Sequence, residues 1–159
     1  MNNVKIAFTD EAKKIYTENP LKYQTNGSVG IDLRAIIEKD FFLKAGQQTL
    51  IKLGIMVDMP EEEIIINGLK YRYEMQLRPR SGLANKFGIS LTNTPATIDS
   101  DYKQEVMAII INHSQNDYLV VKYERIVQAV FNLVLIPQIS IVDNIIDTGR
   151  GGFGSTGTK

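Results

Sequence analysis

The chain contains no cysteine among its 159 residues. Disulfides, thiol nucleophiles and thiolate-held zinc are therefore excluded. It has a single histidine, His113, so a zinc hydrolase needing two or three imidazoles is excluded too, as is a Ser-His-Asp mechanism built on any other histidine. There is no excess of one charge: 18 basic residues balance 18 acidic ones. No global field draws the chain to nucleic acid or a membrane surface, and a polyanionic ligand would have to be held by a local cluster. No apolar run approaches the length of a membrane span, and residues 1–10 lack an apolar leader core. The expectation is a soluble, cytoplasmic protein with no nucleic-acid or membrane partner. Chemistry is left to carboxylates, hydroxyls, guanidinium groups, backbone amides and an oxygen-bound cation.

The hydrophobic pattern is that of short strands. A chain of this length suits one domain that buries roughly 70% of its unfolded surface. Val4, Ile6 and Phe8 alternate with polar or small residues, the period of a half-buried strand. Phe41 and Leu43, residues 50–53 and residues 55–57 give further runs punctuated by Gly46, Gly54 and Pro60. From 70 to 78, Tyr71, Tyr73, Met75 and Leu77 fall on one face and Lys70, Arg72, Glu74, Gln76 and Arg78 on the other. Ile64, Ile65 and Ile66 precede this run across Asn67-Gly68, a two-residue hairpin signal because both positions accept positive φ. Residues 106–111 and 127–136 are almost continuously apolar and are expected to be strands buried on both faces. Helix is confined to a turn or two at 10–16 and one turn at 83–87. The fold class is all-β: a jelly-roll-like barrel or sandwich with little helix. A β domain over 1–148 is followed at 149–159 by a segment with five glycines that cannot pack a core, a flexible arm.

Four segments carry polar groups with chemical potential. Arg78-Pro79-Arg80-Ser81-Gly82-Leu83-Ala84 ends a strand and enters a helical turn; its guanidinium groups, hydroxyl and free amides suit phosphate oxygens, or form a basic turn with a capping serine. Pro95 to Tyr102 places Asp99 and Asp101 on a hairpin, either to orient a water or bind a cation through waters, or simply to cap their own backbone. Gln128 stands where a strand pattern calls for a hydrophobe, so it needs a partner, in a neighbouring loop or in a ligand. Arg150-Gly151-Gly152-Phe153-Gly154-Ser155-Thr156-Gly157 offers close-approaching amides and a flat ring, or is a disordered tail. It lacks the Gly-Lys-Ser/Thr ending of a Walker loop. Glu61-Glu62-Glu63 reads as a solvated turn, His113 as a surface residue beside Asn112, and Tyr71 and Tyr73 as sheet packing.

In order along the chain, these segments resemble the five motifs of the trimeric deoxyuridine triphosphatase (dUTPase) family: residues 27–35 (Gly-Ser-Val-Gly-Ile-Asp-Leu-Arg-Ala), 78–84, 96–104, 124–128 and 149–157. The resemblance implies hydrolysis of dUTP to dUMP and pyrophosphate with Mg²⁺, limiting uracil in DNA and supplying dUMP for thymidylate synthesis. It implies a homotrimer with shared active sites. Asp99 would position and deprotonate a water for attack on the α-phosphorus. Tyr102 would pack on the deoxyribose; Asn93, Thr97, Ile98 and Met107 would line the uracil slot. Arg80, Ser81, Gly82 and Gln128 would hold phosphates, Asp32 would support the metal through water, and Arg125 would brace the site. Phe153 and Gly154 would close over the base while Arg150, Ser155 and Thr156 reach the outer phosphates, the arm acting as a lid. A carboxylate is ionised at neutral pH and needs no histidine to act as a base.

The sequence departs from the family pattern at four places. Ala96 and Gln104 replace usual glycines, and Ala96 fits only where the backbone φ is negative. Arg150 stands directly against Gly151. The hairpin within 61–73 resembles an insertion. The related dCTP deaminases share the fold and depend on a glutamate, for which Glu105 is the candidate here, but the Phe-Gly-Ser-Thr tail favours the triphosphatase. A non-catalytic nucleotide-binding protein on the same scaffold is a further alternative, disfavoured by the intact Asp99 and Tyr102.

Overall fold

A computed structural model describes residues 3–149. Strands dominate them. β1 (Lys5–Phe8) pairs antiparallel with β5 (Ile55–Asp58), and β11 (Tyr118–Val120) with β3 (Phe41–Leu43). β10 (Met107–Asn112) lies between β4 (Gln48–Lys52) and β8 (Ile89–Leu91). The largest sheet runs β2 (Gly30–Arg34), β12 (Arg125–Leu135), β7 (Leu69–Pro79), β6 (Ile64–Ile66), with β9 (Ala96–Asp99) also on β7. The arrangement is the jelly-roll-like all-β class expected from the short, punctuated runs.

Alternation fixes which face of each strand is inside. In β7, Met75 and Leu77 are fully buried while Glu74, Gln76 and Arg78 stay half-buried on the opposite face. Leu33, Ile51, Leu53 and Ile110 meet them in one core. The β6–β7 hairpin turns at Asn67 (φ 52°) and Gly68 (φ 79°), the two consecutive positive values that a tight hairpin requires. The 61–73 segment thus extends the large sheet by one strand. Glu63 within it is exposed but bridges Lys70 Nζ (2.9 Å) and Arg72 Nη2 (3.0 Å), and the Lys70 ammonium holds its carboxyl below the usual range.

One expectation is corrected. The two apolar runs are strands, but neither is buried on both faces. β10 alternates, with Ala108, Ile110 and Asn112 buried and Met107 exposed. β12 is buried through Val130 and then exposes Leu133, Val134 and Leu135. Within one chain no second layer covers that end of the sheet, so an apolar sequence does not guarantee burial.

Helix α1 (Asp10–Glu18) carries Asp10 and Glu11 in its first turn, where negative charge suits the helix dipole. Ala12 and Tyr16, four residues apart, face the core. Tyr16 Oη donates to the Leu53 carbonyl (2.9 Å) and accepts from the Arg34 amide (3.0 Å), and its ring stacks on Phe8 at 4.9 Å. Burial pushes the Tyr16 phenol up to about 12, against a smaller opposing pull from Arg34. The folded state therefore keeps this proton where the unfolded chain loses it. Its contribution is fully present below pH ~10 and is lost as pH rises from there toward 12, at up to ~1.4 kcal/mol per pH unit. Tyr16→Phe strands two buried backbone groups and is expected to cost roughly 1–3 kcal/mol at neutral pH. Thermal unfolding of both proteins checks this: the gap between them should narrow above pH 10, and a gap independent of pH would contradict the assignment.

Candidate active site

The central position of β12 brings three sequence-distant segments together. Gln128 is in register with Asp32 of β2 on one side and with Arg78 of β7 on the other. Two residues beyond Arg78, Arg80 turns back over the sheet. Its Nε donates to Asp32 Oδ1 (2.9 Å) and its Nη2 to Asp32 Oδ2 (3.2 Å), a two-pronged pairing. Arg125 Nη1 reaches the same Oδ2 at 3.1 Å, and Arg80 Nη1 donates to the Arg125 carbonyl at 2.9 Å. Two guanidinium groups thus share one carboxylate and leave a net positive charge. Asp32 and Arg80 side chains are 18% and 26% exposed, enough shielding for the geometry to be fixed. A cleft of about 300 Å³ opens beside Asp32, Arg34 and Arg125.

Gln128 Nε2 donates to the Pro79 carbonyl at 3.1 Å, so its partner is the backbone just before Arg80. Its Oε1 lies where a Cβ on Gly30 would stand; alanine there would displace the amide. The glycine in the 27–35 segment makes room for Gln128. Helix α2 (Ser81–Phe87) begins directly after Arg80. Ser81 is its first helical residue and makes no cap bond; Arg80 occupies the cap position with extended backbone. The capping-serine alternative is therefore not what forms. Ser81 and Gly82 are exposed, and the first-turn amides have no acceptor within the helix.

A second group of residues sits on the β8–β9–β10 loops. Asn93 follows β8; Thr97 and Asp99 of β9 are exposed, Ile98 is half-buried and Ala96 is buried. The chain turns after β9 through a Tyr102 amide to Asp99 carbonyl bond (3.1 Å), and Tyr102 Oη donates to the Glu105 carbonyl at 3.1 Å. Tyr102 and Met107 are both exposed. Among described non-glycine residues only Asn67 and Tyr123 have positive φ, so neither Ala96 nor Gln104 needs the glycine it replaces. Glu105 is engaged: its Oε1 accepts from the Gly54 amide (3.2 Å) and its Oε2 pairs with Lys52 (3.6 Å).

Asp99 stands apart from the guanidinium cluster within one chain. Asp99 is in register with Glu74, six residues along β7 before Arg80. At ~3.4 Å per residue that is roughly 20 Å. Arg150, Phe153, Gly154, Ser155 and Thr156 lie outside the described residues.

Some participants left no sequence signal. Arg34 Nη1 donates to the Tyr123 carbonyl at 2.7 Å, which holds the positive-φ turn entering β12. Tyr118 Oη donates to Glu124 Oε2 at 2.7 Å; burial and then that carboxylate push its phenol well above the usual range. On the outer face of β7, Arg78 Nη2 donates to Gln76 Oε1 (2.7 Å) and Gln76 Nε2 to Glu74 Oε1 (2.6 Å). This ladder runs from the guanidinium cluster toward Asp99. Only alternation hinted at it.

The sequence model of the dUTPase family matches residues 18–157. The chain belongs to the dUTPase family. It is similar to the deoxyuridine 5'-triphosphate nucleotidohydrolase of Brucella melitensis biotype 2, 45% identical over 140 residues, covering 86% of this chain and 83% of the relative. The protein of the same name from Orientia tsutsugamushi (strain Ikeda) is 40% identical over 153 residues, covering 92% and 97%. Among solved structures, a Staphylococcus bacteriophage 80alpha dUTPase variant with dUpNHpp superposes with a TM-score of 0.72 at 19% identity, over 99% of this chain and 100% of that one. A phage phi11 dUTPase from S. aureus, described for the coordination of a structural Mg(II) ion, gives 0.70 at 15% identity over 92% and 100%. At those identities the structures speak to the fold. Family membership rests on the sequence relatives.

Proposed function

We propose that this dUTPase-family chain hydrolyses dUTP to dUMP and pyrophosphate by attack of water on the α-phosphorus, with Asp99 as the general base. The observation that carries the reading is the pairing of two guanidinium groups on Asp32 next to Gln128 and the exposed Ser81-Gly82 turn. It is a local cationic patch on a chain with no net charge, suited to a polyanion. Arg80, Ser81, Gly82 and Gln128 hold the triphosphate. The hairpin bearing Asn93, Thr97, Ile98 and Met107 reads uracil, and Tyr102 packs on the deoxyribose. Once a bound base shields the slot from water, cytosine in place of uracil leaves donors and acceptors unpaired, and such sites discriminate by roughly 10⁴ or more.

Asp99 and the guanidinium cluster stand roughly 20 Å apart along one chain by strand geometry. A complete site therefore takes each from a different copy, which favours association, in the family's manner a trimer. The exposed apolar end of β12 is consistent with contact between copies. The segment 149–159 supplies Arg150, Phe153, Gly154, Ser155 and Thr156 as a lid over the β domain of 1–148. Deleting residues 153–159 is expected to lower kcat at least ~100-fold with thermal stability unchanged, since lids exclude bulk water and complete the site. A loss of folding on that deletion would contradict the lid.

The residues fit a Mg²⁺ carried by the substrate rather than by a protein cage. No group of three acidic or histidine ligands exists among the described residues, and both Asp32 oxygens are already engaged by arginine, so Asp32 serves such an ion only through water. Bound to the triphosphate, Mg²⁺ would neutralise charge that develops on the phosphate oxygens.

The discriminating experiment follows pyrophosphate and ammonia release from each deoxynucleoside triphosphate with and without Mg²⁺. Pyrophosphate from dUTP alone is expected. Ammonia from dCTP would support a deaminase, against which the engaged Glu105 argues, and dUTP binding without turnover would point to a non-catalytic protein.

A further inference from the structure

The turn that carries Asp99 and Tyr102 is fastened to the rest of the fold at two separate points. At its Tyr102 end, Tyr102 Oη donates to the Glu105 carbonyl, and the Glu105 carboxylate is tied to the Gly54 amide and paired with Lys52. Its Asp99 end is fastened through Lys103. Lys103 Nζ donates to the Ser100 carbonyl (2.7 Å) and to Asp58 Oδ1 (2.9 Å), and lies 2.9 Å from Glu61 Oε1. An ammonium has three donors, and here each has an oxygen within reach. Hydrogen bonding to Asp58 first and Glu61 second holds the Lys103 ammonium above the usual lysine range, so it stays charged at neutral pH.

The three acceptors belong to three different parts of the chain. Ser100 directly follows Asp99 and is buried. Asp58 ends β5 and also pairs with Lys5 of β1 at 3.1 Å. Glu61 opens the 61–73 segment, so the acidic run there is not simply solvated. Exposure decides what the cluster is for. The side chains of Lys103, Asp58 and Glu61 are 38%, 50% and 57% exposed, and ion pairs so open to water contribute little to stability. Aim is a different matter. Asp99 is exposed beside a cleft of about 450 Å³ that Glu61, Glu74 and Asp101 also line. Like charges there push its carboxylate away unless the backbone beneath is held. A misplacement of ~1 Å in a reacting group can cost roughly 100-fold in rate.

We propose that Lys103 is a positioning residue for Asp99: by holding the Ser100 carbonyl against Asp58 and Glu61, it fixes the peptide that aims the base at its water. Lys103 acts only through Asp99, so the inference rests on the reading of Asp99 as the base. It also gives Glu61, at the start of the 61–73 segment, a part in the reaction.

Lys103→Met keeps the apolar stem and removes the ammonium. It is expected to lower kcat for dUTP at least ~10-fold with KM changed less than about 2-fold, because Tyr102 keeps its own anchor. Lys103→Arg, which still bridges the two carboxylates, should recover most of the rate. The deciding measurement is a double-variant cycle in single-turnover kinetics. In an Asp99→Asn background, Lys103→Met should change the rate less than about 2-fold, since no base remains to be aimed. Two effects that multiply in full would overturn the positioning role while leaving Asp99 as the base. An unchanged kcat in Lys103→Met, or a loss confined to KM, would overturn it equally. Near-normal turnover by Asp99→Asn alone would remove the base reading and the positioning role with it. Should Lys103→Met fail to fold, Asp58→Asn with Glu61→Gln weakens the same contacts from the other side and is held to the same cycle.

Discussion

Asp99→Asn is expected to lower kcat by roughly 10²–10⁴-fold, the range a positioned general base contributes, while dUTP still binds. Asparagine keeps the shape of the side chain and removes its capacity to take a proton from water. The structure makes the substitution interpretable. Asp99 is exposed at the end of β9, with Glu74 directly across the strand pair. Like charges in that relation oppose folding slightly, so the variant should melt no lower than the parent. Single-turnover kinetics with dUTP, alongside nucleotide binding and thermal unfolding, separate the possibilities. Near-normal turnover would remove Asp99 from the chemistry, and a lowered melting temperature would assign it to the fold instead.

The second large effect is a recovery. Arg80→Ala breaks the two-pronged hold on Asp32, and alone it should cost most of the activity. Asp99→Asn alone should cost as much. Mixed after dissociation and reassembly, the two inactive proteins should regain activity. When each site draws its guanidinium cluster from one copy and its base from another, random mixing at equal amounts leaves about a quarter of sites with both intact. Were both groups supplied by the same chain, no intact site could form, and the mixture would stay as inactive as its parts. The assay is dUTP turnover against mixing ratio, peaking near equal amounts.

How much of this was legible in the sequence varies by element. The β6–β7 turn was readable because Asn67-Gly68 is one of the few pairs that accepts two positive φ values, and the β7 alternation gave its inward face residue by residue. The β12 run misled because hydrophobicity records what a side chain prefers and not whether one chain supplies the cover; Leu133 to Leu135 are apolar and exposed. The five motifs named candidate residues, but not that Asp99 and Arg80 lie far apart on one chain, because strand register is set by pairing partners distant in sequence. Tyr123 shows the opposite failure. Tyrosine has no preference for positive φ, and its conformation is imposed by the turn that Arg34 and the strands around it hold in place. That Ala96 and Gln104 need no positive φ likewise rests on backbone angles that letters do not carry.

Asp32 gives the cationic patch a resident anion. The two arginines are matched to a carboxylate whose charge resembles that of a phosphate oxygen pair. Stray polyanions such as single-stranded DNA must therefore displace a tethered rival held at very high effective concentration. A ligand that only adds diffuse negative charge gains little by doing so. A nucleotide that also makes the base, Gln128 and Ser81 contacts proposed above would gain from several contacts at once. The tethered acid thus acts as a gatekeeper against electrostatic promiscuity, and its removal should loosen discrimination among polyanions before it weakens the sheet beneath.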